Sequence, residues 1–164
     1  MKVRNAIVSD LKAIVAIYNA SIPSKIVTAD LKPITVESRL NWFEGRDPKT
    51  RPIWVIELDD NVVGWLSFQN FYGRPAYQQT AELSIYIAPN YHRRGLGKIL
   101  LEKAISASPS LGINNLLGFV FAINKPSLNL FYQYQFEKWG YLPQVAEIEG
   151  CDRSLIILGR KIII

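Results

Sequence analysis

A chain of 164 residues, 49% hydrophobic and 20% charged, has the size and balance of one compact domain spanning residues 1–164, not of a disordered or low-complexity protein. Its single cysteine, Cys151, excludes an internal disulfide framework and fits a reducing compartment, and no run approaches the ~18 apolar residues that a membrane span requires. The formal charge of +5 favours an anionic ligand, which a nucleic acid, a membrane surface or a phosphorylated cofactor would each supply.

The first residues, MKVRNAIVSDLKAIVAIYNAS, are interrupted by Ser9, Asp10 and Lys12 before an apolar core of signal-peptide length develops. A cytoplasmic location is therefore expected. Val3 to Ile7 reads as a first strand. Ser9-Asp10 offers an N-cap for a helix whose apolar stripe is Leu11, Ile14, Val15 and Tyr18. Ile22 to Pro33 reads as a loop. Thr35 opens a second helix, which Gly45 stops. Asp47 to Pro52 is a turn, Ile53 to Leu58 a strand, and Asp59-Asp60-Asn61 a tight turn. Val62 to Phe71 returns as the hairpin partner, and Tyr72 to Gln79 forms an irregular aromatic loop.

The next stretch, AELSIYIAPNYHRRGLGKILL, starts as a strand in which Leu83, Ile85 and Ile87 alternate with Glu82, Ser84 and Tyr86. Pro89 ends the ladder, a basic turn follows at His92-Arg93-Arg94-Gly95, and a helix runs to about Ala107. A strand, a turn rich in donors and a helix N-terminus together hold phosphate, because unpaired amides and the positive end of the helix dipole face the ligand. Leu116 to Ala122 is an apolar strand. Asn124-Lys125-Pro126-Ser127 starts a short helix to Gln135, with Asn124 as a cap. Phe136 to Trp139 and Ser154 to Lys161 read as closing strands, with Ile162-Ile163-Ile164 as the last strand's end. These elements predict a mixed α/β or α+β sheet, with a parallel pair formed by Glu82–Ile87 and Leu116–Ala122.

The run His92-Arg93-Arg94-Gly95-Leu96-Gly97 resembles the cofactor signature of the GNAT superfamily of N-acetyltransferases, Gln/Arg-x-x-Gly-x-Gly/Ala between the fourth strand and the third helix. His92 departs from the family's Gln or Arg at a position that frames the loop. Around it, Gly64-Trp65-Leu66-Ser67-Phe68, Phe71-Tyr72-Gly73-Arg74-Pro75-Ala76-Tyr77, Ala81-Glu82-Leu83-Ser84-Ile85-Tyr86-Ile87, Asn124-x-x-Ser127 and Trp139-Gly140-Tyr141-Leu142-Pro143-Gln144-Val145-Ala146 are similar to the phosphinothricin acetyltransferase branch. The resemblance runs in order over most of the chain.

It implies a GNAT fold: a mostly antiparallel central sheet with a splayed parallel strand pair, flanked by about four helices. The implied reaction is direct transfer of acetyl from acetyl-CoA to a primary amine, without metal. The pantetheine arm would run along Ile85, Tyr86 and Ile87, the pyrophosphate would rest on Arg93, Arg94, Gly95, Leu96, Gly97 and Lys98, and the side chain of Asn124 would also reach the cofactor. In this branch the acceptor is a small amino acid analogue of the phosphinothricin, methionine sulfoximine or methionine sulfone type. Relatives there are often homodimers, so a homodimer is expected.

Only a free amine attacks a thioester, so the site must take a proton and stabilise an oxyanion. Glu82 is the candidate base, against the plainer reading of an exposed carboxylate on a sheet face, and an amide at or near Ile87 the candidate oxyanion donor. Many superfamily members carry an acid tyrosine in the helix after Asn124, but the matching position here is Phe131, which donates nothing. Either the neighbouring Tyr132 substitutes through a local distortion, or the thiolate leaves unassisted, as a thiol pKa of about 8.5 permits. Arg74 suits an acceptor carboxylate, with Tyr77 and Phe71 as pocket walls; a solvated arginine and packing aromatics are the alternative. His92 frames the loop or touches phosphate, and Cys151 has no histidine near it to make it a nucleophile.

Three other readings compete. A nucleic-acid or ribosomal-protein binder would explain the charge, but the basic residues are scattered over the chain and no basic stripe forms. A non-catalytic acyl-CoA sensor would tolerate Phe131 and Gln135 but leaves Glu82 without a purpose. A peptide N-terminus or polyamine acceptor needs an open groove, whereas Arg74 favours a pocket. A small-molecule amine, with neither nucleic acid nor membrane as partner, is the expectation.

Overall fold

Seven strands form one sheet in the order β1-β2-β3-β4-β5-β7-β6: β1 (Lys2–Asn5), β2 (Ile53–Leu58), β3 (Asn61–Asn70), β4 (Thr80–Ile87), β5 (Asn115–Phe121), β6 (Glu137–Ile148) and β7 (Cys151–Lys161). All neighbours are antiparallel except β4 and β5. This computed structural model describes residues 1–162. Ile163 and Ile164, expected to extend the last strand, lie outside the described residues, and Ile162 follows the end of β7.

Helices α1 (Leu11–Ser21) and α2 (Val36–Glu44) pack on one face of the sheet, and α3 (Leu96–Ala107) and α4 (Lys125–Gln133) on the other. Strand alternation decides which side chains meet which pair. Ile53, Val55, Trp65 and Tyr86 join Ile14, Ile17 and Tyr18 on the α1–α2 side. Trp54, Ile56, Leu66, Phe68, Leu83, Ile85 and Ile87 join Leu100, Leu101 and Phe131 on the other. The mixed, mostly antiparallel sheet with four helices is the architecture expected.

Several boundaries differ from the sequence reading, each for a local reason. β1 ends at Asn5, not Ile7, because the Ile7 amide turns to donate to Asp10 Oδ2 at 2.8 Å. Asp10 is thus not a side-chain cap for α1: it is buried and also takes two bonds from Arg4, at 2.7 and 3.0 Å. Thr35 does cap α2, its Oγ1 accepting from the Ser38 amide at 3.1 Å. α4 begins at Lys125, since Asn124 Oδ1 caps it through the Ser127 amide at 3.3 Å, and ends at Gln133, ahead of Gln135 at φ 60°. β6 runs far past Trp139, to Ile148. Register shifts at Lys138/Gly140 and Leu142/Ala146 break its alternation, and its place at the sheet edge tolerates Pro143.

The feature that prepares a site is the short parallel pairing. β4 follows β3 along its whole length, from Asn70↔Ala81 to Gly64↔Ile87. It pairs with β5 only over Thr80↔Asn115, Ala81↔Leu116 and Glu82↔Leu117. Beyond Glu82 the two strands separate, and a gap opens between adjacent strands in the middle of the sheet.

Candidate active site

Backbone groups alternate sides along a strand. The Thr80 carbonyl and the Ala88 amide face β3, bonding to Phe71 and Val63. The intervening odd residues therefore turn their amides and carbonyls toward the gap. Ile85 and Ile87 lie beyond the last β5 pair, so their groups have no strand partner there. The Ile87 carbonyl is taken by His92, whose ring Nε2 lies 2.8 Å away. This contact pins the basic turn to the strand end, the framing role considered for His92.

The turn leads into α3 through Arg93 at φ 61° and Gly95 at φ 76°, the left-handed region in which glycine carries little strain. The first helical bond joins the Ile99 amide to the Gly95 carbonyl at 3.2 Å, which leaves the amides of Leu96, Gly97 and Lys98 without helical acceptors. Their position at the gap, with exposed Arg93, Arg94 and Lys98, can hold an anion. Arg94 also lies 4.9 Å over the Tyr91 ring. Gly97 serves packing: a Cβ there would stand 3.3 Å from Leu130 Cδ2, so the glycine lets α3 approach α4. Asn124 is buried and its Oδ1 is committed to the cap; its amide nitrogen is the group left for a ligand.

Glu82 is half-buried and, by alternation, shares the α1–α2 face with Ser84 and Tyr86. Burial raises its carboxyl above the usual glutamate range, and the charge of Arg46 opposes that rise. Tyr86 is stacked on Trp65, centroids 4.7 Å apart at 25°, and meets Tyr18 edge-on at 5.0 Å. Burial raises the Tyr86 hydroxyl, and burial followed by the bond to Asp30 raises that of Tyr18. The Tyr18 hydroxyl bonds Asp30 and lies 2.5 Å from Thr28 Oγ1. Arg39 lies over Tyr18 and Trp42, at 5.2 and 5.4 Å, with Asp30 at 3.9 Å.

Sequence reasoning missed this face. Tyr18 reads from the sequence as part of an apolar stripe, and Thr28, Asp30, Arg39 and Arg46 carry no local signal. The α1–α2 segment read as a loop is fixed, with Asn19 bonded to both the carbonyl and the amide of Ile34 at 2.9 Å.

Phe71, Arg74 and Tyr77 do come together. With Gln78 they line a cavity of about 230 Å³ at the β3–β4 hairpin end. Phe71, Tyr72 and Tyr77 form an aromatic trio with centroids 5.4, 5.5 and 5.8 Å apart. Arg74 and Tyr77 are exposed, and Glu82 is not part of this lining. A larger cavity of about 650 Å³, between α3 and the β6–β7 edge, contains none of the candidate residues.

Phe131 is core: it is buried, and its ring meets Phe136 edge-on at 4.8 Å. Tyr132 is 44% exposed, and α4 between Lys125 and Gln133 is regular, so no local distortion turns Tyr132 into the place of Phe131. Cys151 is exposed.

The model of the acetyltransferase (GNAT) family matches residues 14–136. A Bacillus subtilis protein provisionally named phosphinothricin acetyltransferase YwnH is 48% identical over 99% of this chain and 99% of its own length. An L-methionine sulfoximine/L-methionine sulfone acetyltransferase of Pseudomonas paraeruginosa is 28% identical, covering 90% of this chain and 87% of its own. The structure of yncA from Salmonella typhimurium, provisionally an acetyltransferase and solved with its cofactor acetyl-CoA, superposes with a TM-score of 0.93 at 26% identity, covering 100% of this chain and 95% of that one.

Proposed function

The chain belongs to the acetyltransferase (GNAT) family, and we propose that it moves acetyl from acetyl-CoA to the primary amine of a small amino-acid-like acceptor of the phosphinothricin, methionine sulfoximine or methionine sulfone type. One observation carries the reading. β4 loses its β5 partner directly after Glu82, so one strand offers free amides to a thioester in the gap and a carboxylate to an amine on the α1–α2 face.

The steps follow from that arrangement. Pantetheine lies along Ile85, Tyr86 and Ile87, and the pyrophosphate rests on the turn and helix start from Arg93 to Lys98. Glu82, directly or through a water, takes the proton from the acceptor ammonium. The free amine attacks the thioester carbonyl, the Ile87 amide donates to the oxyanion so formed, and the adduct collapses with cleavage of the C–S bond while its nitrogen gives its second proton to water. The thiolate leaves without a side-chain acid, because its pKa of about 8.5 makes it a tolerable leaving group. Arg74, with Tyr77 and Phe71 as walls, receives the acceptor's carboxylate. A homodimer belongs to the same reading.

Thiol release from acetyl-CoA, measured against phosphinothricin, methionine sulfone, methionine sulfoximine, polyamines and short peptides, tests it. Release with the amino acid analogues is expected. Release only with polyamines or peptides would reject the acceptor class, and release with none would favour a non-catalytic acyl-CoA sensor.

A further inference from the structure

Arg46 follows the Gly45 cap of α2 and is half-buried against the sheet. Its Nε donates to the Trp42 carbonyl at 3.3 Å, its Nη1 to the Phe68 carbonyl, and its Nη2 to Gln69 Oε1 at 3.2 Å. The guanidinium also lies 5.2 Å from the Trp42 ring centroid. These contacts fix its position, and all are with neutral groups. Among the described residues, carboxylates reach Arg4, Lys25 and Arg39 at ion-pair distance, and none reaches Arg46. A partly desolvated cation without a counter-ion is unfavourable by itself.

What lies beside it is Glu82. Gln69, which Arg46 holds, is the direct cross-strand partner of Glu82, and such partners on one face have Cβ atoms roughly 5 Å apart. Along the sheet, the residues beside Glu82 carry no charge at neutral pH: Ser84 and Tyr86 on its own strand, Gln69 on β3 and Leu117 on β5. Arg39 and Arg51 are the other cations whose charges act on Arg46.

We propose that Arg46 is a positioning residue for Glu82, a cation locked onto β3 whose field holds that carboxylate ionised as the proton acceptor. The proposal rests on the reading of Glu82 as the base. The opposition of Arg46 to the effect of burial on Glu82 agrees with it.

The test uses Arg46→Gln, which keeps hydrogen-bonding capacity and removes the charge, and Arg46→Lys, which keeps the charge and loses the fork. The Glu82 carboxyl carbon, assigned by its loss in Glu82→Gln, is titrated by NMR, and the pH profile of kcat/KM is measured alongside. In Arg46→Gln the Glu82 midpoint and the acid limb should both move up by on the order of one pH unit. The alkaline plateau should be nearly unchanged, and Arg46→Lys should restore most of the shift. A Glu82 midpoint that stays put in folded Arg46→Gln would overturn the proposal. If that variant does not fold, the wild type decides: about 1 M salt should raise the Glu82 midpoint by screening Arg46, and no movement would refute the coupling. The NMR titration needs no turnover. A protein that releases thiol with no amine yet shows the midpoint shift would end the acetyl-transfer reading and leave the Arg46–Glu82 coupling standing.

Discussion

Replacing Glu82 by Gln removes one charge and almost no volume, so it separates proton transfer from packing. The side chain is half-buried on β4, with burial pushing its carboxyl upward and Arg46 pulling it back. Such a group is a stronger base than an exposed glutamate, as the proposed proton transfer from the acceptor amine requires. General bases contribute ~10²–10⁴ in rate, which at about 1.36 kcal/mol per decade is ~3–5 kcal/mol of barrier. The lower end applies here, because the gap and the half-buried face still admit water that takes the proton more slowly. We therefore expect Glu82→Gln to lower kcat/KM at neutral pH by about 10², with KM for acetyl-CoA little changed. The assay is thiol release across roughly pH 5.5 to 9.5, in which the wild type shows an acid limb above the ordinary glutamate range and the variant loses that limb. A variant that keeps more than about a third of the neutral rate and the same acid limb would refute the base assignment.

Other substitutions probe the remaining roles. Tyr132→Phe should cost less than about threefold in kcat, far below the ~10²–10⁴ of a true general acid; a larger loss with a missing alkaline limb would reinstate the acid. Arg74→Ala should raise the acceptor KM by about tenfold or more, the worth of a charge-assisted bond, with KM for acetyl-CoA unchanged; an unaltered acceptor KM would dismiss Arg74. Asp10 is held below the usual carboxylate range, chiefly by its bonds from Arg4. Its contribution is therefore complete above the unfolded value near 3.9 and is lost as pH falls through the lower folded value. Asp10→Asn should cost about 2 kcal/mol at neutral pH and flatten the loss of Tm below about pH 4; parallel wild-type and variant curves there would contradict this.

How much of this was legible in the chain varies with the range of the interaction. Asn124 and Thr35 act three residues away, on the Ser127 and Ser38 amides, and their types and spacing announce them. The basic, glycine-bearing turn before α3 is equally local, as is the alternation that places Glu82 opposite Ile85. Arg46 is different. Its meaning comes from Phe68 and Gln69, some 22 and 23 residues on, and only the assembled sheet brings them together. Trp65 likewise bonds the Ile14 carbonyl across 51 residues, at 3.1 Å. Asp10 shows two local claims in competition: Ser9-Asp10 before an apolar stripe reads as a cap, but the guanidinium of Arg4 and the Ile7 amide, on its N-terminal side, claim the carboxylate. β6 was half-missed because two register shifts scramble the period on which strand recognition depends.

Phe131 has a different use from the acid it replaces. β4 and β5 part after Glu82↔Leu117, and the next residue of β5 is Gly118. A Cβ at Gly118 would stand 3.0 Å from both Cε1 and Cζ of Phe131. The ring therefore packs against bare backbone one residue past the last β4–β5 pair, joining α4 to β5 and meeting Phe136 edge-on. Here the aromatic volume fills the space over Gly118. Gly118→Ala should overpack the contact and cost on the order of 1–3 kcal/mol. Its φ is not in the left-handed region, so the penalty arises from the ring and not from the backbone. In a Phe131→Leu background, where the ring is gone, the alanine should cost less, with a coupling of about 1 kcal/mol or more in a double-mutant cycle of thermal or urea unfolding. Additive losses would mean that Gly118 and Phe131 act independently and that the close approach of ring and backbone is not what penalises the alanine.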